Sequence, residues 1–212
     1  MSIIDLLIRQ LAPYDCLDCG IEGSLLCPRC RGNLPAALSY PHPKIHVRTV
    51  QAVTPYQGAA KNLLWKLKSA GAQEAAKIMA EQMLDYIPQK ISNLVIVPIP
   101  TATSRVRQRG YDQAKLLARC LARQARLPYV DCLTRLGQTH QVGATRNQRM
   151  LQNRSAFRIR HPEILKKTHI ILVDDVITTG ATIEAAAAVL LASGVMQIDV
   201  LAFAQAKLRA AT

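Results

Sequence analysis

The segment 169–182 constrains the fold more than any other part of the chain. It contains four consecutive apolar residues at 170–173, then the adjacent acids Asp174 and Asp175, then a loop of threonine and glycine. The apolar run predicts a strand that is buried on both faces, and residues 181–193 predict a helix directly after the loop. A buried strand, a short polar loop and a helix in this order are typical of a parallel sheet covered by helices.

The rest of the chain repeats this alternation. Strands are predicted at residues 47–56, 93–97, 169–173 and 197–203, and helices at residues 58–69, 73–86, 111–126 and 181–193. Strands that alternate with helices favour parallel pairing with helical crossovers. The sequence therefore predicts an α/β fold with a doubly wound, Rossmann-like parallel sheet and helices on both faces.

A small module with four cysteines is predicted at the N-terminus. The spacing C-x2-C-x7-C-x2-C holds Cys16, Cys19, Cys27 and Cys30. Two C-x2-C turns supply the four thiolates of a tetrahedral structural zinc site, a zinc ribbon or knuckle with no position left for catalysis. The alternative is redox-active or disulfide-bonded pairs, although a reducing cytosol disfavours disulfides.

Residues 1–44 are interpreted as a short helix, this module and a linker at 31–44, and residues 45–212 as the main domain.

The charge is concentrated in one part of the chain. The formal net charge is +13, and residues 101–160 hold 13 Lys and Arg against Asp112 and Asp131 alone. Such a segment predicts a polyanionic partner, either the phosphates of a small molecule or nucleic acid; the alternative is solvated helix faces.

No run approaches the roughly 20 apolar residues of a membrane helix, and the first residues lack the features of a signal peptide. We expect a cytoplasmic protein without membrane insertion.

The loop after the acids has the chemistry of a phosphate site. Its backbone N–H groups, with the helix dipole behind them, favour an anion, and the residues that would supply them are Thr178, Thr179, Gly180, Ala181 and Thr182. Asp174 and Asp175 would take sugar hydroxyls or help to hold Mg²⁺ through water. The loop matches neither a Walker A motif nor the dinucleotide-binding G-x-G-x-x-G pattern.

The run ILVDDVITTGAT resembles the phosphoribosyl-pyrophosphate signature of type I phosphoribosyltransferases. That resemblance implies that Asp174 and Asp175 contact the ribose hydroxyls in catalysis, that residues 178–182 hold the 5′-phosphate, and that Mg²⁺ accompanies the ligand. Across nearly the whole chain, the four cysteines, VPIPTATSRVRQRGYDQAKLLA, QTHQVGATRNQRMLQNRSAF and the acid pair in this order resemble the ComF/GntX family. This family is associated with DNA uptake and natural competence.

Two further sets of residues follow from these resemblances. The segment that carries Arg105 and Arg109 resembles the pyrophosphate loop, so these arginines are predicted to clamp pyrophosphate; the alternative is a basic turn. Residues 138–153 correspond in position to the flexible loop or hood of the family. The alternative is a surface loop whose arginines contact only solvent. The polar candidates in this segment are Gln138, Gln141, Arg146, Arg149 and Asn153.

Two functions from different classes remain open at this point. The first is an enzyme of the glycosyltransferase class that transfers phosphoribose to an unknown acceptor. The second is a non-catalytic protein that senses phosphoribosyl pyrophosphate or a nucleotide while its basic surface handles single-stranded DNA, together with competence or DNA-processing proteins. A regulator of transcription whose ligand sets its DNA affinity is a third possibility.

Overall fold

The computed structural model describes residues 13–37, 47–69, 72–136 and 156–206. The strands are β1 (Thr49–Pro55), β2 (Leu94–Pro98), β3 (Leu133–Arg135), β4 (Phe157–Ile159), β5 (His169–Ile177) and β6 (Gln197–Gln205). The α-helices are α1 (Pro28–Gly32), α2 (Gly58–Leu67), α3 (Ala72–Met83), α4 (Thr103–Arg109), α5 (Gln113–Ala125) and α6 (Ala181–Ala192). Short 3₁₀ helices lie at Leu84–Tyr86 and Pro162–Leu165.

The main sheet has four strands in the order β1-β6-β5-β2, and every pair in it is parallel. Alternate residues of β5 enter different hydrophobic clusters, because successive side chains of a strand point to opposite faces. Ile171 and Val173 face the cluster built with α2, α3 and α5. Ile170 and Leu172 face the cluster built with α6. The predicted α/β fold, with a parallel sheet and helices on both faces, is confirmed.

Strand β5 is longer than the sequence predicted. We expected it to end at Val173, with the acid pair beyond it, but its pairing with β6 continues to Ile177. The reason is tertiary: β6 also runs past its predicted end to Gln205 and supplies partners for the additional residues. Asp174 and Asp175 are therefore part of the strand, which fixes the faces on which their side chains lie.

The sequence analysis did not predict α4, β3 or β4, which lie between β2 and β5. The segment that resembles a pyrophosphate loop forms the helix α4 at Thr103–Arg109. Its sequence has few apolar residues, and none of its residues is buried, so the hydrophobic period that reveals most helices is missing. Strands β3 and β4 form a separate antiparallel pair on either side of the predicted flexible loop.

The cysteine module packs on the helical layer. Leu25 and Leu26 are buried within the same hydrophobic cluster as Leu63 of α2 and Met79 of α3. Arg31, in α1, donates a hydrogen bond to the Glu81 carboxylate at 2.5 Å. The cysteine module therefore shares a hydrophobic cluster with the helices on this face of the sheet.

A buried charged cluster lies at the amino end of the sheet, away from the acid pair. The Asp199 carboxylate accepts hydrogen bonds from Arg48 Nε at 3.0 Å and from Thr49 Oγ1 at 2.6 Å, and it lies 3.0 Å from His169 Nε2. Burial alone would raise the pKa of Asp199, but Arg48, Thr49 and His169 together hold it below its usual value. This cluster joins β1, β5 and β6 at their amino ends.

Within the described ranges, no helix is both long and apolar enough to cross a membrane.

Candidate functional site

The acid pair lies at the carboxyl end of β5, where parallel sheets bind ligands. Asp175 is buried at 7% exposure and Asp174 is half-buried. The backbone N–H of Asp175 donates to Asp174 Oδ1 at 2.8 Å, while Asp175 Oδ2 lies 2.8 Å from the ammonium nitrogen of Lys68. The two carboxyl groups are thus held by different partners although they are adjacent in sequence.

The electrostatics of the two acids also differ. Burial, reinforced by the neighbouring Asp175 charge, raises the pKa of Asp174 well above its usual value. The Asp175 carboxylate instead has a cation as its partner, because Lys68 forms an ion pair with it. One acid that retains its proton more readily and one paired carboxylate suit a site that receives both hydroxyl groups and a cation.

Lys68 was not among the predicted site residues. It follows α2 directly and caps its carboxyl end, so the fold carries it to the end of a distant strand. The Tyr111 hydroxyl fixes this turn, because it donates to the Leu67 carbonyl at 2.6 Å and lies 3.4 Å from the Ser69 carbonyl. No local motif marks Lys68, so the sequence offered no signal for this contact.

The predicted phosphate loop connects β5 to α6. Thr178 and Thr179 are exposed, and Gly180 is the residue before the first turn of α6. Gly180 has φ of 77°, a left-handed conformation that glycine adopts without strain. The α6 helix therefore begins directly after the loop, with Ala181 and Thr182 in its first turn. Its free N–H groups face the same sheet edge as the acid pair, as an anion site requires.

The predicted pyrophosphate residues, Arg105 and Arg109, both lie on α4. Arg105 is exposed, whereas Arg109 donates to Gln113 Oε1 at 2.8 Å. Gln113 is buried and was not predicted as a site residue. Gly110 ends α4 in a left-handed conformation, with φ of 79°. The carboxyl end of α4 and the start of α5 therefore hold Arg109 in a defined position.

Asp112 connects this arginine segment to the sheet. Its Oδ1 accepts from the backbone N–H groups of Ala114 and Lys115, so Asp112 caps the amino end of α5. The same side chain accepts from the backbone N–H and the hydroxyl of Thr101, both at 2.9 Å. Because residues 99–101 continue from β2, Asp112 ties the loop after β2 to the start of α5.

The four cysteines form one cluster. The thiol sulfurs of Cys16, Cys19, Cys27 and Cys30 all lie within 4.8 Å of one another. The Sγ atoms of Cys19 and Cys27 are 3.7 Å apart, close to the separation of about 3.8 Å that two Zn–S bonds of about 2.3 Å give in a tetrahedron. That distance is far beyond a disulfide bond. The donor set fits zinc.

The thiol pKa values shift in opposite directions within the cysteine cluster. Burial raises the pKa of the Cys16 thiol, but backbone hydrogen bonds from Cys19, Cys27 and Asp18 outweigh it and bring the value to about 6. The pKa of Cys30 is raised, mainly by a hydrogen bond with Asp18 and then by burial. A thiolate at Cys16 is therefore available to a metal ion near neutral pH, because thiolates are the metal-binding form.

The predicted flexible-loop residues lie outside the described residues. Gln138, Gln141, Arg146, Arg149 and Asn153 all belong to the segment 137–155, and their roles stay predictions. Residues 1–12, where a short helix is predicted at the start of the chain, also lie outside the described residues.

Comparison with known proteins agrees with the geometry of this sheet edge. Residues 67–210 match the phosphoribosyl transferase domain family, so the matched region begins one residue before Lys68 and includes the acid pair. Competence protein ComFC of Bacillus subtilis is 32% identical over 152 residues, which cover 70% of this chain and 60% of ComFC. DNA utilization protein YhgH of Salmonella typhimurium is 30% identical over 195 residues, which cover 82% of each chain. The chain belongs to the ComF/GntX family of phosphoribosyltransferase-like proteins.

This chain covers different shares of the relatives that it matches. The chain spans less than two thirds of ComFC, at 60% of its length, and a larger share of YhgH. A solved structure described as the allosteric regulatory enzyme of purine biosynthesis is similar over 60% of this chain and 25% of its own, at 15% identity and a TM-score of 0.41. The family match and the parallel sheet together establish the fold.

Proposed function

We propose that this ComF/GntX protein binds phosphoribosyl pyrophosphate at the carboxyl end of β5. The observation that carries the proposal is the position of Asp174 and Asp175 near the carboxyl end of a buried strand, which is followed after Ile177 by a loop that leads into the amino end of α6. Hydroxyl-binding acids and an anion-binding helix end at one sheet edge suit a phosphorylated sugar.

Each part of the ligand has matching residues. Asp174 and Asp175 would accept hydrogen bonds from the ribose hydroxyls, and backbone N–H groups of residues 178–182 would hold the 5′-phosphate. Arg105 and Arg109 would bind the pyrophosphate, because guanidinium groups pair with phosphate oxygens in a planar geometry. Mg²⁺ bound with the ligand would neutralise the charge of the pyrophosphate. The carboxylate oxygens at Asp175 fit such a hard cation.

This arrangement also supports phosphoribosyl transfer. The bond between ribose C1 and the pyrophosphate oxygen would break, with its electron pair leaving on pyrophosphate. A nucleophilic atom of the acceptor would form the new bond to C1 and lose its proton. The acids would orient the sugar and favour the positive charge that develops on its ring.

The ligand can be tested by thermal unfolding. Phosphoribosyl pyrophosphate with Mg²⁺ at about a hundredfold above Kd should add about 2.7 kcal/mol of stability, or a rise in Tm of roughly 5–10 °C for a chain of this size. The rise should be much smaller in Asp175→Asn, judged by the ligand-induced shift and not by Tm itself. Asp131→Asn is the control, because Asp131 pairs with Lys115 and lies outside the acid pair. An equal shift in Asp175→Asn would exclude this site.

We further propose that the four cysteines bind one structural zinc ion and that the protein acts in the cytoplasm, in DNA uptake or DNA utilisation. The names of ComFC and YhgH support the process, and the sulfur geometry supports the metal. The packing of Leu25 and Leu26 against α2 and α3 supports a structural role for zinc, because loss of the metal would disturb that contact.

A second candidate function, binding of single-stranded DNA, is favoured by the exposed face of α5. Arg119 and Arg123 are exposed and one helical turn apart, about 6 Å along the axis, and Arg126 follows at the end of the helix. The sequence of α5 contains no acidic residue. A row of cations without carboxylates in the same helix fits a chain of phosphates.

Fluorescence anisotropy with a labelled oligothymidylate tests this second function. Replacing one arginine that binds a phosphate should reduce the slope of log K against log salt by about 0.7, so Arg119→Ala/Arg123→Ala should reduce it by about 1.4. Lys166→Ala/Lys167→Ala removes the same charge from the amino end of the sheet and serves as the control. Equal reductions in both variants would indicate a general charge effect and contradict a DNA site on α5.

A further inference from the structure

We infer that the Lys68 ammonium group is a built-in counter-ion that occupies the cation position of the acid pair, and that a divalent cation must displace it to bind there. The inference deepens the proposed function, because it concerns the same acid pair. It assigns a role to a residue that neither the acid motif nor the phosphate loop includes.

The surroundings of Asp175 carry the inference. Asp175 Oδ2 is buried, lies 2.8 Å from Lys68 Nζ, and has no other hydrogen-bond partner among the described residues. The ammonium group therefore supplies the positive charge that a buried carboxylate needs. It approaches the same oxygen that a hard cation would use, and carboxylate oxygens are the preferred ligands of Mg²⁺ and Mn²⁺.

The backbone before Lys68 is held in place. Tyr111 donates its hydroxyl to the Leu67 carbonyl at 2.6 Å, which fixes the end of α2. The Lys68 side chain is 26% exposed, so the flexible part of the contact is its four-carbon stem, which has access to solvent. Displacement consequently requires a change of side-chain rotamer and no movement of α2.

The consequence is a competition between two positive charges. Two cations cannot share one carboxylate oxygen in a partly buried site without strong repulsion. A divalent cation alone therefore binds weakly, since it must first displace Lys68. A ligand that brings its own phosphates gives the released ammonium group a new anionic partner, which makes the exchange easier. The site thus favours a metal ion that arrives with a phosphorylated ligand over the free metal ion.

Binding of Mn²⁺ alone, followed by electron paramagnetic resonance of the free ion, tests the inference without any enzymatic readout. Lys68→Met should bind Mn²⁺ about tenfold more tightly than the unmodified protein. Lys66→Met is the matched control: it removes the same charge two residues away, from a side chain that lies over the Trp65 ring at 5.7 Å. We expect the control to change Mn²⁺ affinity by less than about twofold. Lys68→Gln repeats the test with a polar side chain in case the methionine variant folds poorly.

The outcomes separate this inference from the proposed ligand. Tighter Mn²⁺ binding in Lys68→Met, abolished when Asp175→Asn is added, supports the inference even if phosphoribosyl pyrophosphate fails to bind. Mn²⁺ affinity that is unchanged or weaker in both Lys68 variants overturns it, even if phosphoribosyl pyrophosphate binds well. Equal increases in affinity in Lys68→Met and Lys66→Met also overturn it, because they would reflect net charge alone.

Discussion

Asp112 both caps α5 and forms hydrogen bonds with Thr101 in the loop after β2. Its replacement should show how much each of these two roles contributes to stability. Its Oδ1 accepts from the Ala114 and Lys115 backbone N–H groups and from the Thr101 hydroxyl, at 3.0, 3.2 and 2.9 Å. Its Oδ2 accepts from the Thr101 backbone N–H at 2.9 Å. Loss of a helix cap costs about 1 kcal/mol, and each half-buried hydrogen bond to a charged group adds about 1 kcal/mol. We therefore expect Asp112→Ala to destabilise the protein by about 3 kcal/mol.

Asp112→Asn should lose only part of the stability that Asp112→Ala loses. Asparagine caps helices as well as aspartate does and keeps an oxygen at the Oδ1 position. Its amide nitrogen would face the Thr101 N–H donor, so the bond at Oδ2 is lost, and the expected cost is about 1–1.5 kcal/mol.

Urea unfolding followed by far-ultraviolet circular dichroism measures both variants of Asp112. Equal m-values would show that the same surface is exposed on unfolding. A loss of stability below about 1 kcal/mol in Asp112→Ala would refute the reasoning. Equal losses of stability in the two variants would also refute it, because the helix cap and the other bonds at Oδ1 would then contribute nothing.

Two further predictions concern parts of the chain remote from the acid pair. Because the pKa of Asp199 is lowered in the fold by Arg48 and its other partners, its contribution is present at neutral pH and is lost as the pH falls through the folded pKa, below the unfolded value of about 3.9. Asp199→Asn should therefore be less stable than the unmodified protein at neutral pH and show a smaller loss of stability on acidification; parallel curves from urea unfolding across the acid range would contradict this. Cys27→Ser should lower the zinc content measured by atomic absorption and reduce Tm, whereas Cys120→Ser, which lies outside the cysteine cluster, should leave zinc unchanged. Full zinc content in Cys27→Ser would argue against a four-thiolate site.

Much of the site could be predicted because its information is local. The acid pair, the glycine loop and the start of α6 lie in one short run of sequence, and the spacing of the four cysteines alone predicts their cluster.

The missed features depend on contacts between distant segments. Lys68 reaches Asp175 because α2 ends near the carboxyl end of β5, which no periodicity in either segment reveals. The extension of β5 to Ile177 follows from the length of β6. Helix α4 escaped detection because it buries no residue, so its sequence lacks an apolar period.

The central claim is that the acid pair and the loop at 178–182 form a site for phosphoribosyl pyrophosphate, and calorimetric titration tests it most directly. With Mg²⁺ present, the zinc-loaded protein should bind one molecule of phosphoribosyl pyrophosphate per chain, and Asp174→Asn/Asp175→Asn should give no saturable heat. Absence of binding by the folded, zinc-loaded protein, or equal binding by the double variant, would contradict the account.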